Sequence, residues 1–190
     1  YSNDGESYVV FGKGDWSGTS SLDLSALDGT SGFRLDGIDE YDFSGTSISG
    51  AGDVNQDGID DLIIGAPYAD PGGDSYAGET YVVFGSESLD SSVDLHSPDV
   101  IISGLDLGDN SGYSVSEAGD VNGDGYADIL IGAYGANDCQ PSGTLNNCGR
   151  TYLFTGADLA TTPNQVSLSP TTATTTFSGT EGNWSGYAVA

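Results

Sequence analysis

One repeated stretch constrains this chain more than any other. Gly52-Asp53-Val54-Asn55-Gln56-Asp57-Gly58-Ile59-Asp60-Asp61-Leu62-Ile63-Ile64-Gly65-Ala66 recurs as Gly119-Asp120-Val121-Asn122-Gly123-Asp124-Gly125-Tyr126-Ala127-Asp128-Ile129-Leu130-Ile131-Gly132-Ala133. Each copy sets oxygen-bearing side chains at alternate positions, then a glycine, a further carboxylate and an apolar run. Asp53, Asn55, Asp57 and Asp61 form one set, and Asp120, Asn122, Asp124 and Asp128 the other. A tight turn aims every second side chain at one centre, and Gly58 and Gly125 allow the backbone angles it needs. Hard oxygen donors in that arrangement suit Ca²⁺, which takes roughly 6–8 oxygens in flexible geometry. A lone Asp-Gly-rich turn is an ordinary solvated loop. Two copies with the same donor positions predict two calcium sites.

The loop is not an EF-hand, which ends on a bidentate Glu at its twelfth position and runs into a helix. Here that position is Ile64 or Ile131, and the last carboxylate comes earlier, at Asp61 or Asp128. Short β-branched runs follow, so each loop is predicted to join two strands of a β-hairpin. The backbone carbonyls of Ile59 and Tyr126 complete the expected ligand sets.

Charge narrows the partners. Lys and Arg number 3 against 29 Asp and Glu, a net charge of −26. Two Ca²⁺ would offset little of it, so most of the acidity is surface. Nucleic acid is excluded as a partner, because phosphates need a basic face, and anionic membranes are disfavoured for the same reason. No run is long and apolar enough to insert as a transmembrane helix. The absence of Met, and of a visible signal peptide, suggests a mature or internal portion of something longer. Cys139 and Cys148 flank a short polar loop. In a chain with calcium loops a disulfide is the expected state, contributing about 2.5–3 kcal/mol through a short closed loop.

Repetition extends well beyond the acidic loops. Glu6-Ser7-Tyr8-Val9-Val10-Phe11-Gly12 returns as Glu79-Thr80-Tyr81-Val82-Val83-Phe84-Gly85 and as Arg150-Thr151-Tyr152-Leu153-Phe154-Thr155-Gly156. Ser20-Ser21-Leu22-Asp23-Leu24 matches Ser91-Ser92-Val93-Asp94-Leu95 and, more loosely, Asn164-Gln165-Val166-Ser167-Leu168. Three short segments end in Gly37, Gly104 and Gly179, and small-residue segments follow at Ser44-Gly45, Ser111-Gly112 and Ser185-Gly186. Each unit of about 70 residues holds four short strands without helical periodicity, as a β-propeller blade does.

The expected architecture is therefore all-β, with blades of four antiparallel strands. Residues 1–37 are the end of a first blade, strands three and four. Residues 38–104 form a complete blade with calcium loop 53–61, residues 105–179 another with calcium loop 120–128, and residues 180–190 the first strand of a next. Small residues place the first strand innermost. The runs Leu62-Ile63-Ile64 and Tyr81-Val82-Val83-Phe84 fit middle strands covered on both faces, and Phe33-Arg34-Leu35-Asp36 fits an exposed outer strand. About two and a half blades do not close a ring, since propellers have roughly four to eight. The expectation is a longer chain, or an assembly in which neighbouring subunits cover the blades.

Gly-Asp-Val-Asn-x-Asp-Gly-x-x-Asp, followed by Leu62-Ile63-Ile64-Gly65-Ala66-Pro67 and later Tyr81-Val82-Val83-Phe84-Gly85, resembles the FG-GAP repeat of integrin alpha subunits and of many microbial surface proteins. The resemblance covers nearly the whole chain. It implies a seven-bladed propeller with Ca²⁺ bound between the first two strands of a blade. It departs from the family where Phe-Gly becomes Ser44-Gly45, Ser111-Gly112 and Ser185-Gly186, and where Pro67 has Tyr134 as its counterpart. Those changes weaken any inference of integrin-like partner recognition.

Catalytic chemistry has little support. His96 is the sole histidine and sits in a linker, so no Ser-His-Asp arrangement can be built. Acidic residues at fixed repeat positions read as metal ligands rather than as a glycosidase pair. Trp16 and Trp184 share a context suited to packing between blades, or to stacking on a sugar or protein ligand. Asn183-Trp184-Ser185 matches the N-glycosylation sequon, and the threonine-rich run 171–176 reads as strand. The leading expectation is a non-enzymatic, extracellular, calcium-stabilised module for adhesion or ligand binding, with a protein or glycan ligand. Two alternatives accompany it. One is a subunit of a surface filament or matrix, completed by further copies. The other is the scaffold part of a polysaccharide- or lipid-acting hydrolase or lyase.

Overall fold

A computed structural model describes residues 3–15, 17, 21–88, 90–137, 148–161, 172–180 and 182–190, and the backbone of 164–167. The strands are β1 (Glu6–Val10), β2 (Gly32–Asp36), β3 (Ser47–Gly52), β4 (Asp61–Ala66), β5 (Glu79–Val83), β6 (Ser92–Asp94), β7 (Val100–Ser103), β8 (Ser111–Gly119), β9 (Asp128–Ala133), β10 (Arg150–Phe154), β11 (Asn164–Ser167) and β12 (Thr175–Ser178). They form three sheets, ordered β1-β2-β6, β3-β4-β5-β7-β11 and β8-β9-β10-β12. The protein is all-β, built of partial propeller blades.

Within a blade, successive strands pair antiparallel, as β3–β4, β4–β5 and β5–β7 do. Consecutive side chains of a strand point to opposite faces, and the middle blade shows the consequence. Ile63, Val82, Val100 and Ile102 pack toward the third blade with Val115, Ile129, Ile131 and Tyr152. Ile64, Tyr81 and Val83 pack toward the first with Phe33, Leu35 and Leu95. Each such aliphatic side chain contributes about 1.5–3 kcal/mol on burial. This is why those runs are apolar at every position instead of alternating.

The outer strand is not exposed as its alternation suggests. Phe33 and Leu35 are buried, Arg34 pairs with Asp36, and β6 covers the far edge of β2 in parallel. The covering strand comes from the neighbouring blade, so no local pattern announces it. A second departure is α1 (Gly156–Thr161), a one-turn helix that opens where Thr155 Oγ1 donates to Asp158 at 2.7 Å.

Neighbouring blades meet through small residues. The amides of Ser44, Ser111 and Ser185 donate to the carbonyls of Asp4, Ala77 and Cys148, each at 2.9 Å. Ser47 Oγ and Ser114 Oγ reach across to the Gly112 and Gly186 carbonyls at 2.7 and 2.9 Å. A Cβ on Gly65 would stand 1.9 Å from the Gly112 carbonyl oxygen, so only glycine admits the next blade there. The serine of Ser-Gly is thus a junction residue. Residues 182–190 dock on the third blade through the same contact but carry a single bridge, Ser185 with Gly149, and no strand. A first strand takes its ladder from the second strand of its own blade, and no such partner occurs among the described residues.

Candidate functional site

Both acidic loops connect the first and second strands of a blade, β3 to β4 and β8 to β9. β3 and β8 end at Gly52 and Gly119, both at φ 66. In the first loop, Asp53 accepts the amides of Asp57 at 3.1 Å and Gly58 at 2.9 Å. Asn55 Oδ1 accepts the Asp57 amide at 2.9 Å, and Asp57 accepts the Ile59 amide and Asn55 Nδ2, both at 2.9 Å. The second loop repeats each bond one register on: Asp120 with Asp124 and Gly125, Asn122 with Asp124, and Asp124 with Tyr126 and Asn122. Only the Gly123 amide, donating to Asp120 at 2.7 Å, is additional. Alternate spacing has brought the predicted side chains onto one loop, with each carboxylate holding the amides of residues further on.

Asp61 and Asp128 occupy a different environment. Both are buried at the first residue of the second strand. Asp61 accepts the Val54 amide at 2.8 Å and the Gly85 amide at 2.7 Å. Asp128 accepts Val121 at 2.9 Å and Gly156 at 3.0 Å. Each therefore ties the loop's second residue to the end of the blade's third strand. Hydrogen bonds from amides to an ionised carboxylate contribute about 1.5–3 kcal/mol each. Burial still pushes the Asp61 carboxyl up to about 6, against the pull of the Gly85 and Val54 amides and aided by the Asp57 and Asp53 charges. Asp120 is shifted the other way, below its usual range, chiefly by the Gly125 amide.

Gly85 and Gly156 were missed as members of this site. A Cβ on Gly85 would lie 2.4 Å from the Asp60 carbonyl oxygen, and one on Gly156 would lie 2.3 Å from that of Ala127. The glycine after the third strand is thus the residue that lets the loop close onto its blade. The recurring Gly85 and Gly156 were the signal. The two loops also touch: the Ala127 amide donates to the Asp53 carbonyl at 3.0 Å, and Gln56 Nε2 reaches the Asp124 carbonyl at 3.4 Å.

The donor chemistry fits a hard cation. Every ligand candidate offers oxygen, and neither loop holds a Lys or Arg. The carboxylates here close on the loops' own amides. No group of three or more His, Cys, Asp or Glu among the described residues is gathered in a metal-ready arrangement. Other predicted positions are scattered. Cys148 is buried, and Cys139 lies outside the described residues, as does Trp16. Asn183 is exposed, with its amide donating to Thr180 Oγ1. His96 is exposed, its Nδ1 2.7 Å from Asp94 Oδ1.

A second feature consists of rings. Tyr113, Tyr134, Trp184 and Tyr187 form one cluster, with centroids 4.6 to 6.3 Å apart. Phe43, Tyr68 and Tyr76 form another. Tyr113 lies near the start of β8, Trp184 and Tyr187 on residues 182–190, and the other rings on connectors before a first strand or after a second, at the end of each blade away from the acidic loops. Trp184 and Tyr187 are about half exposed, at 49% and 50%.

Tandem blades, each with an acidic hairpin loop between its first two strands, define a repeat protein of the propeller class. The FG-GAP repeat model matches residues 44–83 and 111–154, and the chain belongs to the FG-GAP repeat proteins. It is 31% identical over 154 residues to integrin alpha-5 of Xenopus laevis, covering 78% of this chain and 13% of that protein. It is 36% identical over 110 residues to human integrin alpha-IIb, covering 57% and 10%. It is also 31% identical over 186 residues to human phosphatidylinositol-glycan-specific phospholipase D, covering 97% and 20%. The chain thus spans a fifth or less of these relatives' lengths. No described helix is long and apolar enough to cross a membrane, which says nothing of β-barrels.

Proposed function

We propose that this is an extracellular, calcium-stabilised FG-GAP propeller module that binds a protein or glycan ligand. The observation that carries the reading is the duplicated loop: the same oxygen donors at the same positions, with the same hydrogen bonds, in two blades. Side chains of Asp53, Asn55, Asp57 and Asp61 with the Ile59 carbonyl would hold one Ca²⁺. Those of Asp120, Asn122, Asp124 and Asp128 with the Tyr126 carbonyl would hold the other. Calcium is structural in this reading. It neutralises carboxylates that repel one another and fixes each hairpin to its blade, while the ring-bearing face remains open to a ligand. A Cys139–Cys148 disulfide fits the same oxidising surroundings. The blade boundaries are those drawn from the repeats: 38–104 and 105–179, with part of a blade on either side.

The test is thermal melting with Ca²⁺ and with chelator. Saturating Ca²⁺ at about 100 times Kd stabilises by about 2.7 kcal/mol per site, so the midpoint rises with Ca²⁺ and does not move in the Asp57→Ala/Asp124→Ala double variant. A wild-type midpoint indifferent to chelator refutes the reading. The phospholipase D similarity, which covers nearly all of this chain, favours a second reading in which these blades are the non-catalytic scaffold of a lipid-acting hydrolase. Hydrolysis of phosphatidylinositol-glycan in vesicles by a polypeptide that joins these blades to a further domain, and not by this chain alone, would support it.

A further inference from the structure

The two acidic loops meet where the middle and third blades adjoin, and backbone joins them. The Ala127 amide donates to the Asp53 carbonyl at 3.0 Å. That amide shares a peptide group with the Tyr126 carbonyl, a proposed ligand of the second site. The Asp53 carbonyl shares one with the Val54 amide, which donates at 2.8 Å to Asp61, a proposed ligand of the first site. Peptide groups are planar and rigid. Two of them in series therefore run from a ligand of one site to a ligand of the other: Tyr126 carbonyl, Ala127 amide, Asp53 carbonyl, Val54 amide, Asp61 carboxylate.

Packing reinforces the link. Val54 is fully buried in the core between the two blades with Ile129 and Phe154, and Ala127 packs against the same core. Gly156, whose amide donates to Asp128 at 3.0 Å, lies against both loops. A Cβ there would stand 2.3 Å from the Ala127 carbonyl oxygen, and 2.8 Å from both the Val54 carbonyl oxygen and Tyr126 Cβ. Gln56 Nε2 adds its contact with the Asp124 carbonyl at 3.4 Å. Every group in this contact belongs to the middle and third blades.

We propose that the two loops take up Ca²⁺ with positive cooperativity, coupled through the Tyr126–Ala127 and Asp53–Val54 peptide groups; this rests on the calcium reading above. Orienting the Tyr126 carbonyl toward its own site orients the Ala127 amide toward Asp53, because both lie in one plane. Fixing Asp61 and the Val54 amide orients the Asp53 carbonyl in return. Whichever loop is ordered first carries part of the ordering cost of the other, so the second site binds more tightly. The coupling is reciprocal: each site raises the affinity of the other by the same factor. Long-range charge works in the opposite direction. Asp53, Asp57 and Asp61 attract cations to both loops, as do Asp120, Asp124 and Asp128, and a loaded loop attracts the next cation less. Salt separates the two effects. It screens charge between exposed loops beyond a Debye length of about 8 Å at physiological ionic strength, while the peptide link and the burial of Val54 are unscreened.

Calorimetric titration of Ca²⁺ into the chelator-treated chain tests the coupling, in about 0.5 M salt, where charge is screened within about 4 Å. Asp124→Ala isolates the first site and Asp57→Ala the second. The product of the two association constants in the wild-type chain should exceed the product of the two single-site constants about 10-fold. Val54→Ala/Gln56→Gly, introduced into all three chains, keeps every ligand and loosens the contact between the loops. Two ions should still bind, with the excess reduced to about 3-fold or less; circular dichroism in Ca²⁺ verifies folding, and the first comparison stands without this variant. Two ions bound with equal products overturn the coupling and leave the calcium sites standing. No Ca²⁺ bound overturns the sites themselves and the coupling with them. An excess that Val54→Ala/Gln56→Gly leaves intact overturns the route between the loops.

Discussion

The two acidic loops share a hydrogen-bond pattern and differ in what surrounds them. Val54 of the first is fully buried against the third blade, while Val121 of the second is 54% exposed. Gln56 of the first adopts a left-handed backbone at φ 61, where the second has Gly123 at φ 78. Asp60 of the first has Ala127 as its counterpart. Apart from the added Gly123 amide on Asp120, the amide ladder is the same despite these differences. It is therefore a local property of oxygen donors at alternate positions, independent of what packs outside. Burial of the loop is a property of the neighbouring blade.

That distinction can be broken or sharpened by substitution. The largest effect belongs to the shared buried acceptor. Asp61→Ala and Asp128→Ala each strand two amides at the base of a loop and should each cost about 3 kcal/mol, read from denaturant melts. A small cost at either would mean that the third strand does not hold the loop. Gly85→Ala and Gly156→Ala come next, at about 1–3 kcal/mol, because the added methyl meets a backbone carbonyl. The same melts should separate the surroundings: Val54→Ala costs about 2 kcal/mol and Val121→Ala less than about 0.5. Equal costs would deny that the loops differ in burial. Gly123→Ala places a Cβ at positive φ and costs about 1 kcal/mol, whereas Gln56→Gly changes stability little.

Acidity adds a further comparison. With chelator present, folded Asp61 keeps its proton up to about 6, as does Asp42, while the unfolded chain releases both near 3.8. Asp42 is raised mainly by burial and then by Asp39, Glu79 and Asp70. The folded state thus binds more protons between those values, and stability falls as pH rises from 4 to about 6. The midpoint of the metal-free chain should drop over that interval. Added Ca²⁺ should reverse the part due to Asp61 and leave the part due to Asp42. A midpoint that rises with pH over the same range would contradict both assignments.

Much of this was legible in the residues. Two copies at equal spacing marked the loops, and unbroken apolar runs marked strands covered on both sides, as Ile63 and Ile64 are. The glycine-rich junctions were legible as small residues, though not as the serine-to-carbonyl bonds they make. Strand lending was not legible. Ser92-Val93-Asp94 is too short to show a period, and its partner lies far away in sequence, on β2. The roles of Gly85 and Gly156 were hidden likewise, because the group each must avoid arrives from another strand.

Calorimetric titration of Ca²⁺ into the chelator-treated chain tests the central claim most directly. Two sites per chain should appear, one should remain in Asp57→Ala or in Asp124→Ala, and none in the double variant. No measurable binding to the wild-type chain, or two sites surviving in the double variant, would contradict it.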